Sequence, residues 1–106
     1  MATQRGWAYH SVYSSTKAAV SMLAKNFSAD LIRRGIRVNS ISPGYTSTEM
    51  YPLDFIAQHK KTLPTGEFAK PEEIADAVAF VSSPSAVSIV DIDLLIDGGL
   101  TTIINE

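Results

Sequence analysis

The chain has 106 residues, a formal net charge of −2 and no cysteine. That length allows one domain at most. The charge leaves no basic surface to neutralise phosphates, which argues against nucleic acid, and the missing thiols exclude disulfide frameworks, thiolate zinc sites and cysteine nucleophiles.

His10 and His59 are too few and too far apart to suggest a metal site. No apolar run approaches the roughly 18 residues of a membrane span, and neither end carries a signal-peptide core or a peroxisomal address. A cytoplasmic protein with no membrane partner is the expectation.

Residues 1–12 read as polar and turn-like, with Gly6 and a Trp7/Tyr9 aromatic pair. Val20, Leu23, Ala24, Phe27 and Leu31 then recur at helical spacing, which predicts one long helix from about 12 to 34. Arg33 and Arg34 complement its dipole, and Gly35 supplies a left-handed cap. Like Lys60-Lys61, this basic pair reads as a solvated helix end. The β-branched run over 36–41 predicts a strand stopped by Ser42-Pro43-Gly44. From Tyr45 to Phe68 the chain is irregular, with a short amphipathic helix expected over Phe55–Lys61; a connection this long is a lid or binding loop more often than an idle linker.

A second helix is expected from Pro71, a residue favoured at the first helical position, with Glu72 and Glu73 in its first turn. Lys70 is a poor N-cap, so tertiary contacts are expected to hold that end. Ile74, Ala77, Val78 and Val81 form its stripe, and 82–85 end it. Leu94-Leu95-Ile96 reads as a buried strand closed by Asp97-Gly98-Gly99. Strand, crossover helix, strand implies a right-handed unit with parallel strands. Two strands are too few for an α/β sheet, which needs helices on both faces, so part of a larger sheet is expected to be missing.

Tyr13 and Lys17 share one helix face. A phenol with pKa about 10 is a poor proton donor or acceptor at neutral pH. A neighbouring cation favours the phenolate, so the phenol can exchange a proton with an alkoxide or alcohol. Alone, this spacing is weak, since a surface tyrosine and lysine meet by accident often.

Its context is more specific. Tyr13-Ser-Ser-Thr-Lys17-Ala-Ala-Val20 resembles the active-site helix of the short-chain dehydrogenases/reductases. Arg37-Val38-Asn39-Ser40-Ile41-Ser42-Pro43-Gly44 resembles that family's Arg-Val-Asn-x-(Ile/Val)-x-Pro-Gly strand and turn, and Thr46 and Thr48 follow at its spacing. Lys70-Pro-Glu-Glu-Ile-Ala-Asp-Ala-Val78 resembles the next helix, and Leu94-Leu95-Ile96-Asp97-Gly98-Gly99 the final strand.

The resemblance implies the C-terminal part of a Rossmann-like, doubly wound parallel α/β sheet, with residues 1–106 as one partial domain and the nucleotide-binding half absent. It implies an NAD(P)-dependent oxidoreductase interconverting a carbonyl and a secondary alcohol, with NADP slightly favoured over NAD. Tyr13 would be the general acid/base. Lys17 would assist it and bind the nicotinamide ribose. Pro43 and Gly44 would shape the turn against the nicotinamide; backbone groups near Thr46 would meet the carboxamide, and the Thr48 hydroxyl the carboxamide or pyrophosphate. The loop over 47–68 would close on substrate, and Asn39 would be structural. A ketose/polyol pair is the first substrate expectation, a generic ketone or 3-oxoacyl group the second. The full-length form would be a homo-oligomer.

The chain also departs from the family pattern. No glycine-rich strand–turn–helix motif occurs, and the carbonyl-polarising serine would fall just ahead of Met1, so a truncated, inactive chain is expected. Ser88-Ile89-Val90-Asp91 replaces the family's usual turn ending in glycine. The first strand would expose an unpaired edge and the long helix an apolar face, making the isolated chain marginally stable or prone to aggregate. Two alternatives are a non-catalytic fragment that pairs with full-length subunits and an α/β fold whose motifs are inert.

Overall fold

The computed structural model describes residues 11–103. The expected turn over 1–12, with Trp7, Tyr9 and His10, lies almost wholly outside them.

Helix α1 spans Ser11–Leu31 and passes into a 3-10 turn at Ile32–Arg34. Gly35 ends it at φ 75°, in the left-handed region that a side chain disfavours. The Gly35 N–H donates to the Ile32 carbonyl at 2.9 Å and the Ile36 N–H to the Leu31 carbonyl at 3.2 Å, so two carbonyls of the last turn are satisfied. The predicted apolar stripe of α1 stands largely uncovered: Val20, Leu23 and Phe27 are exposed, and the helix buries only Ser28.

Strand β1 covers Ser40–Pro43 and strand β2 Asp93–Ile96. They pair in parallel, Ser40 with Asp93 through Pro43 with Ile96. The strand expected over 36–41 is therefore shifted, and Pro43 belongs to it instead of stopping it. The reason is the partner. Asp91 turns the chain at φ 60°, so β2 begins only at Asp93 and residues 36–39 find no ladder. Proline is tolerated at the strand's last position, where the next N–H, that of Gly44, donates to the Ile96 carbonyl at 2.8 Å. Among the described residues the sheet has these two strands alone.

The polar residues ahead of β1 do a different job. The Arg37 guanidinium donates from Nη1 to the Val81 carbonyl at 2.8 Å and the Ile89 carbonyl at 3.1 Å, and from Nη2 to the Ser83 carbonyl at 3.4 Å. Asn39 donates to the Ile89 carbonyl at 3.0 Å and accepts the Ile92 N–H at 2.9 Å. Together they staple segment 81–92 to β1.

Between the strands lie α2 (Leu53–His59), followed by a 3-10 turn, and α3 (Pro71–Val81). α3 begins at Pro71 as predicted. Its N-terminus is closed locally: the Glu73 carboxylate accepts the Lys70 N–H at 2.5 Å, the half of a capping box that the third helical residue supplies, while the Lys70 side chain has no acceptor to supply the other half. A short α4, Leu100–Ile103, follows β2. The buried apolar residues are Leu63, Phe68, Val81 and Ala86. No described helix is long and apolar enough to cross a membrane.

Candidate active site

Tyr13 and Lys17 stand on the first turns of α1, the Lys17 ammonium 5.6 Å from the centre of the Tyr13 ring. That is within reach of a cation–π contact. Both side chains are exposed, and the helical rise alone brings them together.

Pro43, Gly44, Thr46 and Thr48 sit on a different element, at the carboxyl end of β1. The Thr46 hydroxyl donates to the Gly44 carbonyl at 3.2 Å, which tightens the turn. Thr46 also forms a parallel bridge with Ala69. The bridge uses the Tyr45 carbonyl and the Ser47 N–H, at 3.1 and 2.8 Å, and consumes neither backbone group of Thr46. Thr48 is exposed at the start of the long connection.

Helix α1 meets the segment ahead of β2 at one ion pair. Lys25 Nζ lies 3.8 Å from the Asp91 carboxylate, and the Asp91 N–H donates to the Val38 carbonyl at 3.2 Å. Lys25 and Val38 are thus linked through Asp91. The Pro43-Gly44 turn stands at the carboxyl ends of the parallel strands, the edge where open α/β sheets bind ligands.

The connection over 47–68 has a core of its own, which the sequence alone did not disclose. The Tyr45 and Phe68 rings stack with centroids 5.0 Å apart, Tyr51 and Phe55 likewise at 5.0 Å, and Phe55 and His59 at 3.8 Å. The His59 Nδ1 lies 2.9 Å from the Phe55 carbonyl, which can only accept, so that nitrogen carries a proton. An aromatic residue recurring through an irregular segment was the available signal. Beside this core lies an open groove of about 710 Å³, bounded by Thr48, Glu49, Tyr51, Leu53, Ile56 and Pro71 among others. Met50 and Leu53 project from the same limb, 80% and 85% exposed.

Asp97 is a second feature that sequence reasoning passed over, having read it only as the end of a strand. It is buried, and its Oδ1 accepts the Gly99 N–H at 3.0 Å while Oδ2 accepts the Thr101 N–H at 2.9 Å and the Thr101 hydroxyl. Burial pushes the carboxyl up, but these hydrogen bonds, the Thr101 hydroxyl foremost, outweigh it and hold the group below its ordinary value. Among the described residues no cluster of three or more His, Asp or Glu side chains could hold a metal ion.

The Enoyl-(Acyl carrier protein) reductase family model matches residues 1–101. The chain is 39% identical over 101 residues to the cis-4-hydroxycyclohexanecarboxylate dehydrogenase of Sinomonas cyclohexanicum, covering 92% of this chain and 41% of that one. It is 41% identical over 96 residues to the D-threitol dehydrogenase of Mycolicibacterium smegmatis, covering 87% and 37%. A solved structure of a short chain dehydrogenase family protein from Francisella tularensis superposes with a TM-score of 0.86 at 27% identity, over 95% of this chain and 48% of that chain. The chain thus spans about two fifths of the length of the curated relatives it matches.

Proposed function

The chain belongs to the short-chain dehydrogenase/reductase family, and on that premise we propose that it is the catalytic C-terminal part of an NAD(P)-dependent oxidoreductase acting between a ketone and a secondary alcohol. The observation that carries the reading is the Tyr13–Lys17 pair on one helix face. Tyr13 is assigned as general acid/base and Lys17 as its cationic partner; Pro43, Gly44, Thr46 and Thr48 are assigned to the nicotinamide end of the cofactor.

The residues present fit that end. An exposed ammonium suits ribose hydroxyls, the backbone groups of Thr46 are not spent on the bridge to Ala69, and the exposed Thr48 hydroxyl can donate or accept. When bound, the nicotinamide cofactor supplies or accepts the hydride. The chain's own residues handle the proton. The Tyr13 phenol gives it to the oxygen of a carbonyl being reduced, or takes it from an alcohol being oxidised. Lys17, one helical turn away, places a positive charge beside the group that gives up or takes the proton. The aromatic-cored segment 47–68 covers the substrate and excludes water.

The substrate carries a hydroxyl on a saturated carbon. Relatives whose names specify a hydroxylated cyclohexane acid and a four-carbon polyol support that class, and the polyol supports the ketose/polyol reading. The test is alcohol oxidation by a longer form in which a nucleotide-binding half precedes this chain. Tyr13→Phe is expected to lower turnover by at least roughly 10²-fold; full turnover in that variant would refute the assignment.

A second reading has an observation of its own. The uncovered face of α1, with Val20, Leu23 and Phe27 exposed, suits pairing with another subunit, either as the contact of a homo-oligomeric enzyme or as the whole role of a non-catalytic fragment. A short chain that stays monomeric alone and in the presence of full-length subunits would exclude it.

A further inference from the structure

The segment over 47–68 is fixed to the rest of the molecule along its return limb. The Thr65 N–H donates to the Gly98 carbonyl at 3.2 Å, and Ala69 is bridged to Tyr45 and Ser47. The outgoing limb is different in kind: Thr48, Glu49, Met50, Pro52 and Leu53 are exposed. Where the return limb sits therefore decides where that exposed rim and the groove beside it lie.

The seat of the return limb is the Gly98-Gly99 corner. Both glycines are left-handed, at φ 65° and 87°. A side chain on Gly98 would stand 2.6 Å from the Thr65 hydroxyl, and one on Gly99 3.1 Å from the Pro64 ring. The limb is thus packed onto bare backbone. The corner itself owes its shape to Asp97, whose two carboxylate oxygens take the Gly99 N–H, the Thr101 N–H and the Thr101 hydroxyl. A charged acceptor is needed there because three donors converge on one side chain, and charge-assisted bonds are about twice as strong as neutral ones.

We infer that Asp97 is a positioning residue for the substrate lid: through the Gly98-Gly99 corner it sets the seat of Pro64 and Thr65, and with it the place of the Thr48–Leu53 rim. Asp97 touches neither substrate nor cofactor in this role. The chain of contacts runs from its carboxylate to the corner, from the corner to Pro64 and Thr65, from there along residues 66–68 to Ala69, and across the bridge to Tyr45 and Ser47. The inference rests on the proposed function only in naming the segment a substrate lid; the contacts hold whatever the segment covers.

Amide hydrogen exchange on the 106-residue chain tests it without substrate or cofactor, so a failed catalytic assignment would leave the result readable. In Asp97→Asn the carboxamide presents its own N–H groups to donors and loses the charge. The Thr65 and Ala69 amides are expected to exchange roughly tenfold faster or more, the effect of losing a hydrogen bond to a charged group. The Ser40 and Asp91 amides, bonded at the opposite end of the sheet to the Ile92 and Val38 carbonyls, are expected to keep their rates. Thr101→Val, which removes one donor and leaves the carboxylate, is expected to show the same pattern at smaller size. If the Asn variant unfolds, the Val variant alone decides. Equal acceleration at Thr65 and Ser40 would mean a residue that merely stabilises the fold, and unchanged exchange at Thr65 would mean that the corner holds the lid without Asp97. Either outcome overturns the inference.

Discussion

Replacing Arg37 by methionine should cost this fold more than any other single change outside its small core. The guanidinium reaches three carbonyls, those of Val81, Ser83 and Ile89, two of them at the carboxyl end of α3 where the helix dipole also favours a cation. Hydrogen bonds to charged groups contribute about 1.5–3 kcal/mol each. The two shorter bonds share one nitrogen, the third is long at 3.4 Å, and water can reach part of the site. The net loss is therefore put at about 2–3 kcal/mol, near one such bond's full worth and well below the sum of three. With a urea dependence of about 1–2 kcal/mol per molar for a chain of this size, the unfolding midpoint should fall by about 1–3 M. Urea titration followed by circular dichroism measures it. A shift below about 0.3 M would show that water replaces the guanidinium at all three carbonyls, and the staple would then be decorative.

The glycines give a graded pair. Gly35→Ala meets nothing within 4 Å, so its cost is the left-handed backbone alone, about 1 kcal/mol; Gly99→Ala adds the clash with Pro64 and should cost clearly more in the same urea titration. Asp97 makes stability pH-dependent with a definite sign. Its folded pKa lies below the unfolded value of about 3.9, so its contribution is complete above that value and is lost as pH falls through the folded one. Acid titration by circular dichroism should show a loss below about pH 4 that Asp97→Asn flattens, and an identical acid limb in both proteins would refute the coupling. Asp91→Asn removes only an exposed pair with Lys25 at 3.8 Å and keeps a residue that tolerates the left-handed turn. Its urea midpoint should move by less than about 0.5 M, given the small worth of exposed ion pairs.

Local physics was legible in the sequence. The spacing of Val20, Leu23, Phe27 and Leu31, the cap at Gly35 and the proline at 71 are rules about neighbours within a few turns, and α1 and α3 begin and end close to where those rules place them. The Tyr13–Lys17 pair was readable for the same reason, because one helical turn fixes which residues meet. Tertiary structure decided everything that depends on residues distant in the chain. β1 lies over Ser40–Pro43, not 36–41, because a strand exists only where its partner runs, and the partner's start is set by the turn at Asp91. Arg37 and Asn39 spend their polar groups on carbonyls some fifty positions away, which no local pattern announces. The aromatic core of the lid joins Tyr45 to Phe68 across an irregular loop. Asp97, a plain strand end by spacing, becomes the seat of that loop because a buried carboxylate must find donors, and the folded chain brings three to it.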